Sequence, residues 1–124
     1  MENEEINILT SELTPEEIAS YEEHAATLAR KYNVSKVHVY VGLIEDTNER
    51  VVGYMKEPTY LQKMFALDKM SSVGPFASGE ELRDAITLKE ESDPRTQDED
   101  RFKLGMAGAC VAAIKIINNS FKKK

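Results

Sequence analysis

The sequence predicts a small single α+β domain of order α-β-β-α-α-α, an antiparallel β-hairpin covered by helices. Val37, Val39, Val41 and Leu43 alternate with His38, Tyr40 and Gly42, and the alternation resumes from Val51 to Lys56 after a polar link. A period of two marks strands. On both sides of this pair the apolar spacing becomes helical, with Ser/Thr-x-x-Glu capping signals at Thr14 and Ser78. Two strands alone are marginal in water, so the helices must lie over the hairpin.

Residues 1–13 read as an acidic arm, 14–121 as the domain and 122–124 as a basic tail. Within the arm, Ile6, Ile8 and Leu9 suit either a short strand or a flexible segment. Thr14-Pro15-Glu16-Glu17 is a capping box with proline at the first helical position, where its missing N–H costs nothing. The first helix starts there, with Ile18, Tyr21, Ala25, Leu28 and Tyr32 as its buried face. Glu45 to Arg50 supplies turn chemistry longer than a two-residue hairpin link. Val52, Tyr54 and Lys56 then fall on one face of the second strand, and Val51, Gly53 and Met55 on the other.

The second strand runs through Lys56-Glu57-Pro58 directly into a helix starting at Pro58 or Thr59. Leu61, Met64 and Phe65 form an apolar stripe on that helix. Ser71 to Pro75 breaks the pattern, and Ser78-Gly79-Glu80-Glu81 predicts the start of a short third helix bearing Leu82, Ala85 and Ile86. Lys89 to Asp100 is almost wholly polar and reads as a loop. The last helix spans about Asp100 to Asn119, with Phe102, Met106, Ala109, Cys110, Ala113, Ile117 and Phe121 in one stripe. Leu104 and Val111 add apolar surface beyond it, so this helix either is packed on two sides or offers one side to a partner.

Composition narrows the function. The 124 residues suffice for one modest core, with 41% of them apolar. A net charge of −6 opposes broad contact with nucleic acid. Acidic residues lead the chain and Lys122, Lys123 and Lys124 close it, a distribution that suits helix dipoles or a charged partner. The acidic start predicts no secretory signal, and the apolar run from Met106 stops at Lys115, far short of the ~20 residues of a bilayer span. A soluble intracellular protein without membrane contact is expected. The one cysteine, Cys110, allows no internal disulfide and reads as a core thiol.

Catalytic and ligand motifs fail on inspection. Gly74 to Gly79 has the outer spacing of a phosphate loop, but Glu80 and Glu81 stand where lysine and a hydroxyl residue are needed. His24 and His38, the only histidines, have no ligand spacing with carboxylates. Asp98-Glu99-Asp100 lacks the glycine and length of a calcium loop. No enzyme activity, cofactor or metal site is expected, and binding is the predicted role.

From Lys36 to Asn119 the chain resembles the small tail-assembly chaperones of bacteriophages and prophages. The likeness rests on the hairpin strand Val37 to Leu43, Tyr54-Met55-Lys56-Glu57-Pro58, Leu61 to Leu67, the acidic Leu88 to Asp93 segment and the helix Phe102 to Ile117. Two departures stand out: Glu90-Glu91-Ser92 replaces a glycine-rich turn, and the acidic first helix is an extra element. The resemblance implies a non-enzymatic virion-assembly protein of the host cytoplasm that keeps a helical tape-measure client soluble. Tyr60, Leu61, Met64, Phe65, Leu104 and Val111 are the expected partner-binding residues. The alternative is a structural or adaptor subunit of a virion or other oligomer, using the same surfaces for self-association.

Overall fold

The structure, a computed structural model, describes residues 13–122, with side chains as far as Ala112. Its elements are α1 (Pro15–Lys31), β1 (Val37–Ile44), β2 (Glu49–Lys56), α2 (Tyr60–Ser72), α3 (Pro75–Ile86), the single turn α4 (Arg95–Asp98) and α5 (Asp100–Lys122). The predicted α+β class and element order hold, with α4 as an addition inside the expected loop. The acidic arm up to residue 12, the last two lysines and the side chains of Ala113, Ile117 and Phe121 lie outside the described residues.

Local chemistry accounts for the helix starts. Thr14 Oγ1 accepts from the Glu17 amide at 3.1 Å while the Glu17 carboxylate accepts from the Thr14 amide at 2.9 Å. Two donors that the first turn leaves free are thereby satisfied. Thr59 and Gln62 repeat the device at α2, at 2.8 and 3.2 Å. Thr59 is thus the cap, and Pro58 precedes it, buried. The start expected at Ser78 is corrected: α3 begins at Pro75, and Ser78 lies inside it, its hydroxyl donating to the Ala66 carbonyl of α2 at 2.8 Å. Gly74 has φ 137° between the two helices, a region a Cβ disfavours.

The hairpin pairs Val37 with Lys56 through Ile44 with Glu49. A four-residue turn, Glu45 to Asn48, joins the strands, with Asn48 at φ 60°. The sheet is covered on both faces. Ala25 and Leu28 of α1 meet Val37, Tyr54 and Leu88 on one side. On the other, Tyr40, Val51 and Met55 meet Ala66, Leu82, Ile86, Phe102, Met106 and Cys110. Tyr40, on the strand face opposite the valines, is therefore also in the core. Glycines permit this closeness: a Cβ on Gly42 would overlap Phe102, and one on Gly53 would overlap Met106.

The free edge of β2 is occupied by the segment after α3. The Leu88 amide donates to the Tyr54 carbonyl at 2.8 Å and the Asp93 amide to the Val52 carbonyl at 2.8 Å. Buried Ser92 accepts from the Tyr54 amide at 2.9 Å and donates to Leu88 at 2.8 Å. Polar residues here substitute for a third strand. Asp93 holds the Arg95 guanidinium through two bonds, 3.0 and 2.8 Å, and Arg95 reaches Glu49 at 2.9 Å, which fastens α4 to the hairpin. What reads as a loop is a strap.

Candidate functional site

The junction at Lys56-Glu57-Pro58 sets the direction of α2. The Glu57 amide extends the ladder to the Lys36 carbonyl at 2.9 Å. Its carboxylate meets His38 Nε2 at 2.6 Å and Lys63 Nζ at 2.6 Å, tying β1, β2 and α2 together. Burial opposes ionisation of Glu57, yet the bonds from Lys63 and His38 outweigh it and hold the carboxyl below its ordinary value.

From this anchor α2 docks by its small side. Ala66 is buried, with Leu67 and Met70 packed partly behind it. The predicted stripe faces away. Tyr60 is 76% exposed, Leu61 57%, Met64 40% and Phe65 64%. Four large apolar or aromatic side chains thus stand on adjacent turns of one helix with no core to fill. Lys63 and Lys69, ion-paired to Glu57 and Glu81, edge them with polar groups. An apolar centre inside a polar rim is the anatomy of a protein-binding surface.

Leu104 is also exposed, at 57%, but stands on α5. Val111, expected beside it as a partner-binding residue, is 9% exposed and offers little surface in the monomer. Gly79 of α3 has no Cβ, so α3 closes onto Ala107 and Val111, and Val111 fills the seam. The described part of α5 is packed on two sides within the monomer, against the sheet and α3.

Two exposed residues near the α2–α3 corner escaped the sequence reading, Val73 and Phe76. The available signal was Val-Gly-Pro-Phe itself, since a turn built on Gly74-Pro75 leaves its flanking apolar residues little to pack on.

No family model, curated protein or solved structure matches the chain.

The remaining chemical groups sit in structural settings. His24 meets the Tyr54 ring edge-on, 5.1 Å between centroids. Cys110 is buried, its Sγ donating to Met55 Sδ at 3.5 Å, and burial pushes its thiol up to about 12. Arg83 is buried against Glu80 at 2.7 Å, Asp84 at 3.2 Å and Gln97 at 3.2 Å, fixing α4 to α3. Among the described residues no group of His, Cys, Asp and Glu is arranged to hold a metal ion, and no helix is long and apolar enough to cross a membrane.

A second apolar feature lies on the opposite side of the sheet. A groove of about 880 Å³ runs between α1 and β1, walled by Ile18, Ala25 and Ala29 on the helix and Val37, Val39 and Val41 on the strand. Alanines on the helix face are too short to fill the space above three valines.

Proposed function

We infer that this protein is a non-enzymatic binding protein whose α2 face receives an amphipathic helix of a protein partner. The carrying observation is the exposure of Tyr60, Leu61, Met64 and Phe65 on one face of a helix whose Ala66 side is buried. Helix-in-groove recognition uses anchors at this i, i+3, i+4 spacing. Aromatic and methionine side chains suit such anchors because they offer large contact area and adapt to the partner. Leu104 of α5 is a further contributor.

The resemblance to phage tail-assembly chaperones names the partner class: a long helical tape-measure protein, kept soluble during virion assembly in the host cytoplasm. The net charge of −6 would keep such a complex dispersed. A structural or adaptor subunit of a virion is the second reading, favoured by the same exposed face if it closes on a second copy.

Size measurement of the purified chain with and without a coiled-coil tape-measure fragment separates the two. A monomer or small oligomer that captures the fragment supports the chaperone. A discrete ring or high-order oligomer without client supports the subunit. In the genome, a tape-measure gene immediately downstream is expected, and its absence from a complete phage genome overturns the chaperone reading.

A further inference from the structure

The outward face of α2 is apolar but not neutral. At about 100° per residue, Asp68 falls between Met64 and Leu61 around the helix, with Tyr60 and Phe65 on the flanks. It stands one turn beyond Met64 and Phe65 along the axis, so it belongs to the same surface. Its side chain is exposed, and among the described residues no hydrogen bond or ion pair involves its carboxylate. The positions from which a helix neutralises such a charge, three and four residues away, hold Met64, Phe65, Ser71 and Ser72. Both lysines of α2 are committed elsewhere, Lys63 to Glu57 at 2.6 Å and Lys69 to Glu81 at 3.1 Å. Helix formation does not call for Asp68 either. Aspartate is a poor helix former, and toward the C-terminus of a helix a negative charge gains nothing from the dipole.

On the reading that α2 is the docking face, we propose that its occupant is an amphipathic helix of another protein carrying a lysine or arginine in the middle of its apolar stripe, paired to Asp68. The surface dictates both halves of the match. Leu61, Met64 and Phe65 require apolar side chains opposite them, while an acid among them, closed off from water by the docked helix, requires a cation. A second copy of this chain does not supply one. In a two-fold pairing of α2 with itself, every contact is made twice between mirror positions. An axis along the helices or through Asp68 sets the two carboxylates face to face, and an axis between Met64 and Phe65 sets each Asp68 against Leu61. The lysines of α2 lie off this face and are already paired, and two copies of net charge −6 repel. Asp68 thus selects which helices dock, as the apolar anchors set how tightly they do so.

Selection by the full chain from a library of displayed amphipathic helical peptides, randomised at the centre of the apolar stripe, tests this. The native chain is expected to enrich lysine and arginine at that position, and an Asp68→Lys variant to enrich aspartate and glutamate. Because Asp68 is exposed and unpaired, the two proteins are expected to unfold at the same denaturant midpoint. For the tightest peptide selected by the native chain, replacing its basic residue by glutamine is expected to weaken binding about fivefold to the native chain and less than about twofold to Asp68→Asn, a difference that shrinks with added salt. No basic preference, the same preference in Asp68→Lys, or equal weakening in the two proteins overturns the proposal. The docking face itself stands in those cases if the enriched peptides fail to bind the Leu61→Asp/Phe65→Asp variant. Enrichment of no helix beyond what that variant enriches overturns both. Self-association of the native chain that Leu61→Asp/Phe65→Asp abolishes assigns the face to a second copy and overturns the proposal as well.

Discussion

Single side chains here act through what surrounds them. Cys110 lies against Met55 in the core, and burial pushes its thiol to about 12. The thiolate is the reactive form, so at pH 7.5 iodoacetamide should leave the folded chain unlabelled and modify it fully in denaturant, as mass spectrometry would read. Glu57 works at the surface of the same core. Its carboxyl lies below the ordinary 4.5, so the ionised form is favoured by folding. That contribution is complete above about pH 4.5 and is lost as pH falls through the lower, folded value. Replacing Glu57 by Gln should cost ~1 kcal/mol at pH 7 and almost nothing at pH 2, measured by urea unfolding at both. His38 and Lys63 lie far apart in the chain, and no motif links them to each other or to Glu57. Only the hairpin register and the turn into α2 bring them to one carboxylate.

Among elements, the contacts of α2, α3 and α5 decide what is core and what is surface. Gly79 lets α3 lie against the Ala107 carbonyl and Val111. Gly79→Val must push the two helices apart, and a loss of about 1–3 kcal/mol is expected in thermal or denaturant unfolding. The capping box at Thr14 was legible because its four residues are contiguous, whereas the box of Thr59 and Gln62, completed by glutamine, went unread and the helix start rested on Pro58. The Ser78 signature misled for a physical reason. Serine in the first turn of a helix can bond a neighbouring carbonyl as well as cap, and here Ala66 of α2 offers that carbonyl to Ser78. The strap from Leu88 to Asp93 was unreadable as sheet, because Ser92 supplies by hydroxyl what a strand supplies by backbone.

At the scale of the whole molecule, the sheet divides two apolar regions. The helical side is filled, and the α1 side retains its groove. The exposed α2 face lies outside both cores, which makes its chemistry separable from stability. Leu61→Asp combined with Phe65→Asp should leave the unfolding midpoint within about 0.5 kcal/mol of the native value, because neither side chain is buried. The same pair should abolish capture of a helical partner, since central apolar anchors are worth about 2 kcal/mol or more each. A large loss of stability would instead place these residues in an intramolecular contact.

By itself the sequence determined the α+β class, the hairpin, the direct passage from β2 into α2 and the burial of Cys110, because each follows from periodicity or from adjacent residues. It also marked Leu61, Met64 and Phe65 as one stripe. Tertiary structure alone decided which way that stripe faces and that Val111, of equal apolarity, is buried. Periodicity reports that a helix has an apolar side. Whether water or another helix meets that side depends on how closely the opposite side can dock, and here Ala66 on α2 and Gly79 on α3 set those approaches.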